Sequence, residues 1–244
     1  MTELTWNVEH LATVDSTNAW LVQRAHDGAK AGTVVFADFQ SAGRGRRDRQ
    51  WVAPRGSSLL CSVLLDDRES RGAVQLFVIA AALSLIEALD ELTSVRPSLK
   101  WPNDVMYAES KVAGLLGEVV KSHVVVGLGL NLRSVDPAFP AGTCVREATG
   151  AELGAAQVLE KYLTALSWRL ELLGADGGAS RLREEFINNL STMGRWVKVE
   201  LTNEVLHGRV VDVDDTGALL IATKAEMRVV SAGDVVHLRG EETT

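Results

Sequence analysis

The chain has 244 residues, 46% of them hydrophobic and 23% charged, with a formal net charge of −7. That length buries one sizeable core with room for one small further unit, and the acidic balance argues against a general nucleic-acid partner, because phosphate contacts supply most non-specific affinity. No apolar run approaches the roughly 18 residues a membrane helix needs, and the acidic start Met1-Thr2-Glu3-Leu4-Thr5 lacks the basic and apolar regions of a signal peptide, so the cytoplasm is the expected compartment.

Residues 6–14 read as a first strand or extended segment, after which Asp15-Ser16-Thr17-Asn18 opens a helix that Gly28 stops. Asp15 or Ser16 suits the N-cap, where a side-chain oxygen takes up free backbone N–H groups. Hydroxyls at a helix N-terminus also suit a polar ligand, and one hydroxyl can serve both ends. Apolar runs at residues 33–37 and 58–65 read as strands. Between them Gln40-Ser41-Ala42-Gly43-Arg44-Gly45-Arg46-Arg47-Asp48-Arg49-Gln50-Trp51 forms a loop at a sheet edge, with four arginines and two glycines. Glycine lets backbone N–H groups come close to an anion. Arginine forks match phosphate or carboxylate oxygens, and Trp51 offers a flat face for a ring such as adenine. A solvated basic loop or a nucleic-acid patch is the plainer reading. Neither accounts for glycines interleaved with arginines between two buried strands.

Over residues 68–92 the positions Val74, Phe77, Val78, Ala81, Leu85 and Leu89 follow helical spacing and predict a core helix. Residues 95–101 read as a strand running into Trp101-Pro102-Asn103-Asp104. There the proline holds Trp101 extended, and Asn103 and Asp104 favour a turn. Lys111 stands before Val112-Ala113-Gly114-Leu115-Leu116, neighbours that imply partial burial; a lone lysine there is ordinarily a solvated strand end. Residues 124–131 form a buried strand broken by Gly127 and Gly129, and glycine in a strand marks close approach of a ligand or another backbone. Residues 136–150, with Pro137 and Pro140, read as a loop, followed by helices at 154–173 and 180–190. After Gly194 come short strands at 197–201, 205–213, 218–222, 227–230 and 235–238, with turns such as Asp214-Asp215-Thr216-Gly217. These predict a small SH3-like barrel whose own core is marginal, so that it packs on the rest. Cys61 and Cys144 have no metal or redox spacing, and Cys61 reads as a small core residue.

Four ordered segments then carry a family resemblance. Gly43-Arg44-Gly45-Arg46-Arg47-x-Arg49-x-Trp51 closely resembles the GRGRRGRxW loop of biotin protein ligases. Lys100-Trp101-Pro102-Asn103-Asp104, Lys111-Val112-Ala113-Gly114-Leu115-Leu116-Gly117-Glu118 and Gly127-Leu128-Gly129-Leu130-Asn131 resemble that family's KWPND, K(L/V)AGxLxE and GxGxN segments. The match is strong from Val14 to Asn131 and looser beyond. It implies an α+β fold: a mixed-sheet biotin/lipoate ligase catalytic domain at 1–192, with the SH3-like C-terminal domain at 193–240. The activity implied is that of a ligase forming biotinyl-5′-AMP from biotin and ATP, then transferring biotin to a lysine of a biotin carboxyl carrier domain of the acetyl-CoA carboxylase type.

The resemblance also assigns residues. Ser16, Thr17 and Asn18 would contact the ureido ring of biotin, with Gln40, Gly43 and Gly114 bordering that pocket. Arg44, Gly45 and Arg46 would contact the ligand and close over it. Lys111 would lie between the biotin carboxylate and the α-phosphate, and Asp104 would orient the reacting groups or a magnesium ion. Arg47, Trp51 and Asn131 would face the adenylate, together with Arg44, Arg46 and Lys111. Lys111, Arg44 and Asp104 are the catalytic candidates. Mg2+ is expected to be carried mainly by the ATP phosphates, with no certain protein ligand. Asp48 stands where the family pattern has glycine, which bears on loop closure. The first motif starts by Ser16, so an N-terminal helix-turn-helix is not expected, and neither is a DNA or membrane partner; a monomer or weak homodimer is. The alternatives are a lipoate or octanoate ligase or transferase, and a non-catalytic biotin- or nucleic-acid-binding protein. An octanoyl transferase would want a cysteine near the carrier lysine, and neither Cys61 nor Cys144 has such a setting.

Overall fold

The computed structural model describes residues 4–47, 49–66, 74–136, 138–139, 141–201, 204–231 and 233–238. Asp48, and the start of the helix expected from residue 68, lie outside the described residues. The first part of the chain builds strands β1 (Asn7–Leu11), β2 (Thr33–Ala37), β3 (Ser58–Asp66), β4 (Ser98–Lys100), β5 (Asp104–Tyr107), β6 (Ser110–Val120) and β7 (His123–Asn131). They form one mixed sheet in the order β1-β2-β3-β7-β6-β5-β4. The β1/β2 pair is parallel and the other neighbours are antiparallel. Helix α1 (Thr17–His26) covers one face. Helices α2 (Val74–Thr93), α4 (Ala155–Leu173) and α5 (Gly178–Asn189) lie on the other side.

Alternation along the strands decides which side chain meets which layer. On β3, Leu59, Cys61, Val63 and Leu65 belong to the larger core with α2 and α4, while Leu64 belongs to the smaller core under α1. On β7, Val124, Val126, Leu128 and Leu130 face the larger core and Val125 faces α1. The residues that continue the α1 face of β7 are Gly127, Gly129 and Asn131, and that change from bulky to small side chains opens a recess beyond the first turn of α1.

Several elements differ from the sequence reading. The first strand is shorter, Asn7–Leu11, and so is β4, Ser98–Lys100. The stretch read as a loop at 136–150 contains a short helix, α3 (Val145–Thr149), ended by Gly150 at φ 77°; five residues carry too little periodicity to show. Lys111 is not ahead of a strand but inside β6, opposite Met106 of β5. The Gly/Arg segment lies at the end of β2 rather than at a lateral edge, since β2 is flanked by β1 and β3. The Trp101–Pro102 peptide is cis.

The C-terminal strands β8 (Trp196–Glu200), β9 (Val205–Val213), β10 (Leu219–Ala222), β11 (Met227–Val230) and β12 (Asp234–His237) form a five-stranded antiparallel sheet ordered β11-β10-β9-β8-β12. It packs on the first part, as its small core requires. Buried Trp101 donates its Nε1–H to Gly217 O at 2.9 Å. Gly217, at φ +86°, lies so close to Gln75 and Ile79 of α2 that a Cβ there would meet Gln75 at 2.7 Å. Arg183 of α5 pairs with Asp212 at 2.7 Å.

Candidate functional site

A cleft of about 740 Å³ opens on the α1 face of the large sheet. Its walls come from the first turn of α1, the β2–β3 connection, the β4–β5 turn, the stretch holding Val135, Ala138, Phe139, Ala141 and Gly142, and the β12 side of the small sheet. Two chemically distinct ends share it.

One end is a neutral polar cradle. Ser16 is the N-cap of α1 and its Oγ accepts from Ala19 N, which puts Thr17 and Asn18 in the first turn, both buried. Gln40, held by an isolated parallel bridge to Val14, accepts the Thr17 N–H on Oε1 at 2.7 Å. Ser62 of β3 lies between Thr17 and Asn18, 2.9 Å from Thr17 Oγ1 and 2.6 Å from Asn18 Oδ1. Gly127 makes room for this arrangement, since a Cβ there would sit 2.0 Å from Asn18 Oδ1.

The other end is cationic. Gly43–Arg47 and Arg49–Trp51 pair as the two arms of a hairpin, with Gly45 N donating to Arg49 O at 2.7 Å and Trp51 N to Gly43 O at 3.0 Å. Gly43 is buried beneath it, where a Cβ would strike Trp51 O at 2.4 Å. Arg46 turns inward and donates to Asn103 Oδ1 at 3.2 Å. Burial lowers its pKa from the ordinary guanidinium value, with Asp234 and Asp104 opposing. Lys111 Nζ lies 2.6 Å from Asp104 Oδ1 and 5.6 Å from the centre of the Trp51 ring. The indole rests on the backbone of β6 and β7: a Cβ at Gly129 would meet it at 2.4 Å and one at Gly114 at 3.3 Å. Among the described residues the buried Trp51 Nε1–H has no partner. Asn131 closes this end, its Nδ2 donating to Thr143 O at 3.2 Å. Residues 141–143 are strapped to β6 through Lys111, whose N–H donates to Ala141 O and whose carbonyl accepts from Thr143 N.

Ser16, Thr17, Asn18, Gln40, Arg44, Gly45, Arg46, Trp51, Asp104, Lys111, Gly114 and Asn131 all line the cleft. Gly43 and Arg47 do not. Gly43 supports the hairpin from below, and Arg47, at φ 52°, reaches to Asp234 at 3.2 Å and the Glu200 carbonyl at 3.0 Å. Arg49 also pairs with Asp234. Two residues without a sequence-based role belong to the site: Ser62, described above, and Glu118, whose carboxylate takes Arg44 at 2.9 Å and the Asn18 amide at 2.8 Å. Ser62 gives no signal inside an apolar strand. Glu118 is visible as the last residue of a motif, but its partners come from distant segments.

No group of three or more His, Cys, Asp or Glu among the described residues could hold a metal ion. Asp104, the carboxylate of the β4–β5 turn, is paired with Lys111.

Comparison with known proteins agrees with this architecture. Residues 11–131 match the biotin/lipoate A/B protein ligase family, and residues 192–238 match the biotin protein ligase C-terminal domain. The chain is 34% identical to the biotin–[acetyl-CoA-carboxylase] ligase of Mycobacterium tuberculosis, over 94% of this chain and 88% of that protein. It is 32% identical to the enzyme of the same name from Paracoccus denitrificans, over 92% of this chain and 98% of that one. The biotin protein ligase of Aquifex aeolicus in complex with biotin and ATP superposes with a TM-score of 0.84 at 32% identity, covering 96% of this chain and 99% of that one. With both parts of the chain matched and the cradle and cations sharing one cleft, the chain belongs to the biotin protein ligase family.

Proposed function

We propose that this protein activates biotin with ATP and transfers it to a lysine of a biotin carboxyl carrier domain of the acetyl-CoA carboxylase type. The observation that carries this reading is the layout of the cleft: a buried neutral cradle at one end and a cluster of cations at the other. The ureido ring of biotin supplies N–H donors and a carbonyl for Thr17, Asn18, Gln40 and Ser16. Its carboxylate then reaches Lys111 and Arg46. A carboxylate oxygen attacks the α-phosphorus of ATP, a P–O bond forms, and pyrophosphate leaves with the electrons of the broken bond. Lys111, Arg46 and Arg44 offset the charge gathering on phosphorus and on the departing oxygens. Asp104 holds the Lys111 ammonium in place, and Trp51 and Asn131 flank the adenylate.

In the second step the amine of the carrier lysine attacks the acyl carbon and AMP leaves. Neither step needs a protein nucleophile. Mg2+ would be held by the ATP phosphates and would supply further positive charge there. The mixed anhydride must be kept from water, a task that falls to the Arg hairpin. The division at residues 192 and 193 into catalytic and C-terminal domains, absence of a DNA partner, a monomeric or weakly dimeric state and a cytoplasmic location belong to the same reading.

An octanoyl transferase is the weaker reading, because it asks for an accessible thiol. Both cysteines are buried, and burial pushes the Cys61 thiol up to about 12. Isotopic pyrophosphate exchange into ATP tests the first step alone. Exchange that depends on biotin supports the proposal; exchange driven by lipoate or octanoate and not by biotin overturns it.

A further inference from the structure

We propose that Glu118 is a positioning residue that sets the direction of hydrogen bonding through the whole polar cradle. This rests on the biotin reading of the cleft. Glu118 is outside the cleft lining, on the α1 face of β6, and its two oxygens are shared between the arginine hairpin and the cradle. Oε1 takes Arg44 Nη2 at 2.9 Å, and Oε2 accepts from Arg44 Nη1 at 3.2 Å and from Asn18 Nδ2 at 2.8 Å.

A carboxylate can only accept. The Asn18 amide must therefore turn its Nδ2 toward Glu118, and the second Nδ2 proton falls toward Leu116 O at 3.4 Å, another pure acceptor. Asn18 Oδ1 is then left facing Ser62, which must donate to it across 2.6 Å. A serine hydroxyl has one proton. With that proton committed, Ser62 offers only lone pairs toward Thr17 Oγ1 at 2.9 Å, and Thr17 receives no proton from it. Gln40 Oε1 accepts both the Thr17 backbone N–H at 2.7 Å and the Thr17 hydroxyl at 3.0 Å. The protons along Glu118–Asn18–Ser62 are thus assigned from the Glu118 end, and that of Thr17 goes to Gln40. Thr17 Oγ1 accepts from no hydroxyl of the cradle, which leaves it able to accept an N–H of a cyclic urea from the cleft.

Glutamine at position 118 has the same shape but can donate as well as accept. The Asn18 amide can then turn over, giving up only its long 3.4 Å contact with Leu116 O, and present Nδ2 to Ser62. Ser62 would donate to Thr17, Thr17 would donate to Gln40, and one Thr17 lone pair would be lost to the ligand. Burial makes the order matter: Ser62 is fully buried, and Thr17 and Asn18 nearly so, so water does not repair a mismatched contact.

The test is a double-variant cycle on pyrophosphate exchange with biotin as substrate. Glu118→Gln is expected to raise KM for biotin about tenfold or more, the scale of one mismatched buried hydrogen bond. The maximal rate and the KM for ATP are expected to stay within about twofold. Ser62→Ala, which cuts the relay in the middle, is expected to raise KM for biotin similarly. The pair together should do little more than either alone, because Ser62 and Glu118 act through one chain. Glu118→Asp keeps the acceptor-only chemistry and should recover part of the loss. Additive effects, a KM unchanged in Glu118→Gln, or a loss equal to that of Arg44→Ala with no coupling to Ser62 would each overturn the proposal. Wild-type protein that shows no exchange with biotin would remove the substrate reading, and this inference with it.

Discussion

Lys111 and Arg44 are the residues proposed to carry the chemistry, and they lie in different settings. Lys111 is half-buried between Asp104 and Trp51, while Arg44 is exposed and held from behind by Glu118. A lysine fixed by a carboxylate meets the reacting oxygens without further ordering, which is where electrostatic stabilisation is strongest. An exposed arginine suits retention of a product. Arg44→Gly is accordingly predicted to weaken retention of biotin and of biotinyl-AMP. Free adenylate should leak and label lysines indiscriminately, as read by intact mass on a bystander protein; release unchanged from wild type would contradict that role. Most cleft residues were legible from the sequence because they sit in contiguous motifs. Ser62 was not, since a hydroxyl among Leu59, Leu60, Cys61 and Val63 looks like strand filler. The direction of Arg47 was not legible either, because its partner Asp234 is 187 residues away in the chain.

At the scale of elements, the glycines of β6 and β7 explain why a cleft exists at all. Strand alternation brings Gly114, Gly127 and Gly129 to the α1 face, where Asn18 and Trp51 take the vacated volume. The sequence signalled that something comes close at these glycines. It did not say what, and the answer is side chains of the site itself. Gly127→Ala would put a methyl 2.0 Å from Asn18 Oδ1 and must displace that amide. KM for biotin is predicted to rise about tenfold or more, the order expected of forced repacking. Gly154→Ala, with open space around its Cβ, is the matched control and should leave KM unchanged. Long periodic elements such as α2 and α4 were readable in advance. The five-residue α3 and the three-residue β4 were not, because neighbours in space rather than local periodicity define them.

At the scale of the molecule, the small C-terminal sheet contributes to the rim of the cleft and locks onto the large one. Its expected dependence on the main body shows in Trp101, Gly217 and the Arg183–Asp212 pair. His237 lies on this junction, with Nε2 3.1 Å from Thr192 Oγ1 and Nδ1 3.4 Å from Arg195, which can only donate. Nδ1 is therefore the unprotonated nitrogen. Burial, then Lys100 and Arg195, lower the pKa of His237 to about 4. The unfolded chain takes up this proton below about 6.5, and the folded one only near 4. The group therefore supports the fold fully above 6.5, and that support is lost as the pH falls from 6.5 to 4. A thermal midpoint measured from pH 7 to 4.5 should fall less in His237→Gln than in wild type; parallel curves would contradict this. The whole account is tested most directly by incubating the protein with ATP, Mg2+, biotin and a biotin carboxyl carrier domain, then weighing the intact carrier. It predicts one biotin added to the carrier lysine by the wild type and none by Lys111→Ala. No biotin transfer by the wild type, or transfer only of lipoate or octanoate, would contradict it.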